Sequence, residues 1–534
     1  MRQPFWKKYG VWLLIISGLM TALPLLFNEI GFIQWVSIIP AALVLTGMAS
    51  DESIGLGRIY LAGLIFFESY FLVVFHWFIA MYPLEFTGIS RGAAIFVVAL
   101  AWIGLSLLSA ALYALSAIAL AVIARMELLS NAAKEIVMPI AAASLWVVFE
   151  WIQTLDWWGV PWGRLCLGQV NTPSFIASAS IFGSYFVSFV IVAVNFYLAY
   201  SIIQAKKRRI ACAICALGIF LLNLSLSAGA LLTYEDGKET VCVAAVQGNN
   251  PNSDIWVDGT LEKVLTTHEK LTRRAVNNGA DIVLWSETAF PYDYFKHEYL
   301  KDRISDLAID TGAVILVSAF TSTDEGNMQV SLIQVKPDGS YGEVMYHKQR
   351  LVPFGEFIPM GGLLEKIIPP LANLYTREET LIAGRENTVI ETEYAKIGAA
   401  ICYDSIFEEI LRGAANNEAE LLVVSTNDSW FGLSKALDMH NAQAILRSVE
   451  TGRYVVRSAN TGISSIISPR GEVLQGLGGG VTGYVIDNVH LNNHTTPYMT
   501  WGNLFVYLCL AFCAAFPLIN AAKYLLNVKS FNQK

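Results

Sequence analysis

Residues 397–405, IGAAICYDS, place a cysteine directly after a run of small apolar side chains. A continuous apolar run of this length is typical of a strand that is buried on both faces of a sheet. Because open α/β sheets carry their reactive groups at the carboxyl ends of strands, the stretch predicts an α/β domain with a functional thiol at Cys402. A lone cysteine at a strand end is more often a small core residue, so the thiol needs partners elsewhere in the chain.

Two further stretches end in a reactive side chain in the same way. LWSETAFP (284–291) contains a predicted strand that ends on Glu287, and YHKQRLVPFGEFIP (346–359) contains one that ends on Lys348. A carboxylate can take the proton of a thiol, and the resulting thiolate is a nucleophile. A lysine ammonium beside it would stabilise the thiolate and the oxyanion of a tetrahedral intermediate. Together with Cys402, these side chains predict acyl transfer.

The region around these stretches, residues 235–498, has the pattern of a soluble α/β domain. Apolar runs predict strands at 241–247, 281–286, 313–319, 330–335, 396–402, 420–425, 453–458 and 463–468. Helical patterns lie between several of them, near 257–278, 297–311, 405–416 and 437–451. Strands that alternate with helices indicate a sheet covered by helices. Turn residues predict hairpins at 335–344 and 468–473.

The rest of the chain is too apolar for a soluble protein. Of the 534 residues, 54% are hydrophobic and 15% are charged, against about 25% charged in an average soluble domain. Runs long enough for a transmembrane helix, about 20 residues, are found at 9–27, 31–48, 59–82, 92–124, 136–154, 174–203, 209–234 and 499–526. We therefore predict a membrane domain with seven transmembrane helices at 1–234, a catalytic domain at 235–498, and a last transmembrane helix with a cytoplasmic tail at 499–534.

The distribution of Lys and Arg in the short loops predicts the orientation of these helices. One side would hold thirteen of them, and the other only Arg91 and Arg164. The thirteen are Arg2, Lys7, Lys8, Arg58, Arg125, Lys134, Lys206, Lys207, Arg208, Arg209, Lys523, Lys529 and Lys534. Because cytoplasmic loops carry the excess of positive charge, both chain termini are expected in the cytoplasm. Residues 235–498 are then expected on the outer, periplasmic face.

Composition and spacing argue against two other kinds of site. The net charge is −8, and no Lys/Arg-rich face carries interleaved aromatic residues, so no nucleic-acid partner is expected. Cys212 and Cys215 have CxxC spacing, but they lie in an apolar run with no polar neighbours and no second pair. Small apolar residues of a lipid-facing helix account for them, so no metal ion or other cofactor is expected.

The three reactive stretches and their flanks resemble the nitrilase, or carbon–nitrogen hydrolase, superfamily. Longer motifs are similar to the apolipoprotein N-acyltransferase family. They are SETAFP, HKQRLVPFGEFIP, CYDS, STNDSWFG (425–432) and RSVETGRYVVRSANTGISS (447–465), with VQGNNPNSDIW (246–256) at the domain entry and LWVVFEWIQTLDWWGVPWGRLCLGQ (145–169) between two spans. The resemblance covers essentially the whole chain. It implies a polytopic α-helical membrane domain plus an α/β nitrilase-like αββα sandwich domain.

The resemblance also implies a role for each matching side chain. Cys402 would be the nucleophile that takes an acyl group as a thioester, with Glu287 as general base and Lys348 as stabiliser of the oxyanion. Glu356 looks like the family's second essential carboxylate, which would orient Lys348 or the incoming amine. Trp256 resembles the family's substrate-contacting tryptophan.

Four more positions near the predicted nucleophile need an interpretation. Tyr403 matches the family, and Trp430 lies in the matching STNDSWFG motif, so both are carried over as supporting residues. Asp404 stands where the family usually has glutamate, which leaves the role of its carboxylate open. His440 suggests a Cys–His pair instead, but the lysine already supplies the positive charge, so we expect this histidine to be structural.

Three ionisable residues lie within the predicted spans, where charge is costly and function is the first hypothesis. His76 and Glu150 are near helix ends, where a polar interface is a sufficient explanation. For Glu68, packing against other spans and contact with a substrate both stay open.

The activity implied by the resemblance is a two-step acyl transfer. A phospholipid would give its acyl chain to Cys402, and the α-amine of an S-diacylglyceryl cysteine on an apolipoprotein would then take it. The expected partners are a phospholipid donor, an apolipoprotein acceptor and membrane lipid, and the enzyme would be a monomer in the bacterial inner membrane. Two alternatives stay open. One is a membrane-tethered amidase that uses water, and the other is a non-catalytic receptor or transporter with a nitrilase-like ectodomain.

Overall fold

A helical bundle forms the first part of the chain. The computed structural model describes residues 5–84, 89–128, 130–156, 159–204, 206–250, 260–287, 290, 292–360 and 381–531. The long helices of the bundle are α1 (Phe5–Leu26), α2 (Ile39–Ser50), α3 (Leu56–Val74), α4 (Arg91–Arg125), α5 (Asn131–Ile152), α6 (Ser184–Ile203) and α7 (Lys206–Thr233). Their exposed surfaces carry large apolar side chains, which is the arrangement that a bilayer requires.

Two six-stranded sheets form the second part. Their strands are β1 (Thr240–Gln247), β2 (Ile282–Trp285), β3 (Val314–Ser322), β4 (Met328–Val335), β5 (Tyr346–His347), β6 (Val389–Glu391), β7 (Lys396–Ile401), β8 (Leu421–Thr426), β9 (Val455–Ala459), β10 (Ser464–Ile467), β11 (Val473–Leu477) and β12 (Gly483–His490). The strand orders are β12–β1–β2–β3–β4–β5 and β11–β10–β9–β8–β7–β6. Each sheet has a parallel centre, β1–β2–β3 in one and β7–β8–β9 in the other.

Helices cover the outer faces of both sheets. They are α8 (Thr260–Asn277), α9 (Glu298–Thr311), α10 (Glu408–Asn416) and α11 (Ala436–Thr451). Successive residues of a strand point to opposite faces, and in β2 they join different cores. Ile282 and Leu284 belong to the core between the sheets, whereas Val283 and Trp285 belong to the core with α8 and α9. This is the predicted αββα sandwich, so the predicted fold class is confirmed.

The predicted strands and hairpins differ from the structure mainly at the sheet edges. Both predicted hairpins form, with Lys336 N–H donating to the carbonyl oxygen of Ser340 and Ser468 N–H to that of Glu472, each at 2.8 Å. The predicted strands did not include β6, which has only three residues, β11, which follows the second predicted hairpin turn, or β12. β12 pairs antiparallel with the whole of β1, but as an edge strand it is partly exposed and its polar residues obscure the pattern.

Glycines shorten two of the predicted transmembrane helices. The described residues contain eight helical stretches that are long and apolar enough to cross a membrane. The predicted span 174–203 breaks at Gly183, whose φ of +81° is left-handed, and only α6 continues beyond it. The final helix, α12 (Leu504–Phe531), starts later than the predicted residue 499, because Gly502 at φ +55° ends a short helix before it.

Candidate active site

Cys402 directly follows β7, at a sharp turn of the chain. Its φ is +51°, a left-handed conformation that residues with a side chain rarely adopt. The 3₁₀ turn Cys402–Ile406 follows, and α10 begins at Glu408. Strain of this kind costs about 1–3 kcal/mol and persists only where the surrounding structure imposes it. Cys402 as a residue is only partly buried.

A buried lysine ammonium lies between two carboxylates beside this turn. Lys348 follows β5, and its Nζ donates to Glu287 Oε1 at 2.8 Å and to Glu356 Oε1 at 2.6 Å. The second oxygen of Glu287 accepts from the backbone N–H of Asn427 at 2.9 Å. The second oxygen of Glu356 accepts from the backbone N–H of Val352 at 2.8 Å. Both carboxylates are therefore held in fixed orientations around one positive charge.

The charges of this group determine which atoms carry protons. Burial and the charge of Glu287 raise the pKa of the Cys402 thiol, and Lys348 opposes this effect. Burial also raises the pKa of Glu287, although Lys348 and a hydrogen bond with the Cys402 side chain lower it. Burial alone would lower the pKa of Lys348, but Glu287 and Glu356 outweigh it and raise that pKa well above its ordinary value. The arrangement is a protonated thiol beside a carboxylate base, with a permanent cation between the carboxylates.

Asp404 connects the chain after β5 to the chain that ends β7. Its side chain is fully buried and accepts hydrogen bonds from four donors. Oδ2 accepts from the Tyr346 hydroxyl at 2.7 Å and from Ile401 N–H at 3.1 Å. Oδ1 accepts from Arg350 N–H at 2.7 Å and from Gln349 N–H at 3.2 Å. These donors lie next to Lys348 and Cys402 in the chain, so the carboxylate that the sequence left without a role holds the two segments together.

We expect Asp404→Asn to weaken both the fold and the reaction. The amide nitrogen would meet N–H and O–H donors, and unpaired buried donors cost about 1–3 kcal/mol each. Because a displacement of about 1 Å costs roughly a hundredfold in rate, formation of the acyl-enzyme should slow by about ten- to a hundredfold. Thermal unfolding and the acylation rate of the purified variant measure the two effects. Asp338→Asn, in an exposed hairpin turn, is the matched control and should leave the rate unchanged.

The bundle segment 159–164 contacts the chain that follows Cys402. The Tyr403 hydroxyl donates to the carbonyl oxygen of Gly159 at 3.2 Å. Arg164 forms a fully buried ion pair with Glu408, the first residue of α10. The membrane part of the chain is therefore part of the scaffold that holds the nucleophile turn.

We expect Arg164→Met to be strongly destabilising. The substitution removes the positive charge that pairs with the buried Glu408 carboxylate. The remaining cation, Arg447, has its Nη1 4.0 Å from this carboxylate and therefore interacts with it more weakly. Breaking one side of a buried ion pair costs about 3–5 kcal/mol. Adding Glu408→Gln should restore much of that loss, which a melting temperature measures. Arg208→Met removes an arginine whose side chain is half exposed and should cost at most about 1 kcal/mol. Equal losses in the two single variants would contradict the prediction.

The structure brings together the four predicted groups with acid–base or nucleophilic chemistry: Glu287, Lys348, Glu356 and Cys402. Trp430 lies in the 3₁₀ turn Ser429–Phe431 and is 39% exposed. This turn comes directly after Asn427, which sequence reasoning did not single out although its backbone N–H binds the predicted base. The signal for it was present, because Asn427 belongs to the STNDSWFG motif. The prediction for Trp256 lies outside the described residues.

Glu150 and His76, two of the ionisable residues of the predicted spans, have local protein partners. Glu150 is fully buried, and its Oε1 accepts from Trp146 Nε1 and from Leu165 N–H, each at 2.8 Å. His76 Nδ1 lies 2.8 Å from a backbone carbonyl oxygen. Glu68 is only partly buried on α3. A polar packing role therefore accounts for Glu150.

Two family patterns match the chain. Residues 242–495 match the carbon-nitrogen hydrolase family, and residues 17–197 match the apolipoprotein N-acyltransferase N-terminal domain. An apolipoprotein N-acyltransferase from Gloeobacter violaceus is 27% identical over 90% of this chain and 88% of its own length. One from Geobacter metallireducens is 30% identical over 69% of this chain and 71% of its own length. A solved amidase of the nitrilase superfamily from Nesterenkonia covers 52% of this chain and 98% of its own, at 18% identity and a TM-score of 0.39.

Proposed function

We infer that this chain, which belongs to the apolipoprotein N-acyltransferase family, transfers a fatty acyl group from a phospholipid to the amino terminus of a lipoprotein. The observation that carries the proposal is the Lys348 ammonium held between the Glu287 and Glu356 carboxylates, with Glu287 next to the Cys402 side chain. A nucleophile, its base and a fixed cation are the groups that acyl transfer through a thioester requires.

In the first half-reaction, Cys402 attacks the ester carbonyl carbon of the phospholipid. Glu287 takes the thiol proton as the S–C bond forms, and it gives this proton to the oxygen of the leaving lysophospholipid as the C–O bond breaks. Lys348 stabilises the oxyanion of the tetrahedral intermediate, and Glu356 keeps the ammonium in place. The acyl chain is then bound to the protein as a thioester.

In the second half-reaction, the neutral α-amine of an S-diacylglyceryl cysteine attacks the thioester. Glu287 takes a proton from the attacking nitrogen and returns it to the Cys402 sulfur as the S–C bond breaks. The products are an amide on the acceptor and the free thiol. The enzyme therefore returns to its starting protonation state after each cycle.

We place the reaction at the surface of the bacterial inner membrane. Contacts between the bundle segment 159–164 and the nucleophile turn support this placement, because they hold Cys402 close to the helices that would be embedded in lipid. Both substrates carry acyl chains, so a site at the bilayer surface can receive them without removing either from lipid. The asymmetry of Lys and Arg between the loops supports a periplasmic site with cytoplasmic termini.

Intact-mass measurement of the purified enzyme tests this function. Incubation with a phospholipid should add the mass of one acyl group, peptide mapping should assign it to Cys402, and a diacylglyceryl peptide with a free α-amine should then remove it. The thioester should persist while that amine is absent. Equally fast loss to water would instead support a membrane-tethered amidase, and no acyl gain at all would support a receptor or transporter.

A further inference from the structure

A second group of buried polar side chains contacts the backbone of Cys402. His440, on α11, has its Nε2 3.3 Å from the carbonyl oxygen of Cys402 and 3.1 Å from the hydroxyl oxygen of Ser405. Ser405 also donates to that carbonyl oxygen at 2.7 Å. Both side chains are almost completely buried. The Ser405 hydroxyl therefore holds the main-chain carbonyl group of the nucleophile, and the imidazole nitrogen lies beside both of these oxygens.

The other side of the imidazole is anchored by charge. His440 Nδ1 lies 2.9 Å from Asp428 Oδ1, and Arg457 Nη2 donates to Asp428 Oδ2 at 2.6 Å. Burial alone would raise the pKa of Asp428, but Arg457 and His440 outweigh it and hold that pKa well below its ordinary value. Because Asp428 is ionised and accepts only, Nδ1–H must be the donor in this contact. Burial and the charge of Arg457 outweigh Asp428 and lower the pKa of His440, so Nε2 carries no proton and can only accept. The contact with Asp428 orients the ring, so that Nε2 shares the proton of the Ser405 hydroxyl with the Cys402 carbonyl oxygen.

The bundle limits the remaining freedom of the ring. The indole of Trp162, which is 2% exposed, packs against the imidazole with 5.4 Å between ring centroids. One helical turn after His440, the side-chain amide of Gln443 donates to the carbonyl oxygen of Pro161 at 3.4 Å. The imidazole is therefore enclosed by the catalytic domain on one side and by the bundle segment 159–164 on the other.

We propose that His440 is a positioning residue for Cys402, and that with Ser405 it maintains the left-handed backbone that directs the thiol towards Glu287. The inference rests on the proposed acyl transfer through Cys402. A φ of +51° is unfavourable for cysteine, so contacts that hold the adjoining carbonyl group are needed to keep it. A shift of the sulfur by about 1 Å would cost roughly a hundredfold in rate.

Two substitutions of His440 separate this role from simple anchoring of Asp428. In His440→Asn the amide nitrogen replaces Nδ1, so the contact with Asp428 is kept and the contact with Ser405 and Cys402 is lost. In His440→Gln the amide oxygen reaches the place of Nε2 and can accept from Ser405, so the opposite contact is kept. We expect single-turnover acylation of Cys402 to slow about a hundredfold in His440→Asn and about tenfold or less in His440→Gln. The phospholipid concentration for half-maximal rate should not change in either variant.

The reverse order of the two rates would overturn the proposal, because it would show that only the anchoring of Asp428 matters. His268→Gln is the matched control: His268 is equally buried in the same domain but bonds to Val264 on α8, and it should acylate at the wild-type rate. Ser405→Ala tests the same contact if His440→Asn fails to fold, and it should slow acylation about tenfold. Wild-type rates in Ser405→Ala and His440→Asn would overturn this inference alone, whereas a wild type that takes no acyl group would overturn the proposed function as well.

Discussion

Cys402→Ala is expected to take no acyl group from a phospholipid, and its transfer rate should fall to background, a loss of roughly 10⁶-fold. The loss should be this large because nucleophile and base act as a unit. Without the sulfur no S–C bond can form, so Glu287 and Lys348 have no step to catalyse. Intact-mass measurement after incubation with phospholipid checks the first half-reaction. The change removes one atom at a partly exposed position, so the melting temperature should stay close to that of the wild type.

A second cysteine of the same domain provides the matched control. Cys242 is also a free and partly exposed cysteine, but it lies on β1, away from the nucleophile turn. Its backbone N–H donates to the Asp281 carboxylate. Cys242→Ala should therefore acylate at the wild-type rate. Continued acyl gain by Cys402→Ala, at any position, would contradict the assignment of the nucleophile.

Lys348→Met is expected to lose both stability and activity. It leaves the buried Glu287 and the partly buried Glu356 without the cation that each of them contacts. Breaking a buried ion pair in this way costs about 3–5 kcal/mol. Loss of the charge that stabilises the oxyanion should slow acylation by about 10³-fold. A chemical unfolding curve and single-turnover acylation measure the two effects separately.

The pH dependence of Lys348→Met provides an internal check. Without the cation, burial and the charge of Glu356 raise the pKa of Glu287 further, so the folded variant binds protons more tightly than the unfolded chain does. The destabilisation is then present above the ordinary carboxylate pKa range and is relieved as pH falls through the raised pKa of Glu287. The gap in melting temperature between wild type and variant should therefore narrow from about pH 8 to about pH 5. A gap that widens over this range would contradict the prediction.

Two further variants show whether the effect belongs to this site. Lys348→Met combined with Glu356→Gln should recover part of the lost stability, because one of the two uncompensated carboxylates is removed. Lys396→Met is the control for loss of a lysine charge. Its pair with Glu418 is largely exposed, so it should change stability by at most about 1 kcal/mol.

The parts of the fold that were predicted from the sequence have strong local patterns. Continuous apolar runs marked the buried strands, and each reactive side chain could be assigned to a strand end because β2 and β7 are surrounded by turn or helix signals. Edge strands such as β12 were missed because one face meets solvent and the hydrophobic pattern is weak. The break of a predicted span at Gly183 was missed because the apolar composition continues across it.

The clearest sequence signals belonged to the side chains that acyl transfer itself requires, which are the thiol, the base and the lysine. The sequence pointed to Asp404 as a candidate residue, but it did not predict what the carboxylate does. Its four hydrogen-bond donors come from two segments that meet only in the folded protein. The same holds for the contacts of His440 with Asp428 and with the carbonyl group of Cys402. Their chain separations exceed any local pattern, so no spacing rule could indicate them.

Sequence by itself determined that the chain has an apolar helical part, an α/β part and three reactive side chains at strand ends, because hydrophobic periodicity and residue chemistry are local properties. Only the tertiary structure decided that Glu287, Lys348 and Glu356 share one buried charge cluster next to Cys402, and that the bundle segment 159–164 supports it. The physical reason is that charge pairing in a buried site depends on distances of a few ångströms. Such distances are set by the packing of remote segments and not by the order of residues along the chain.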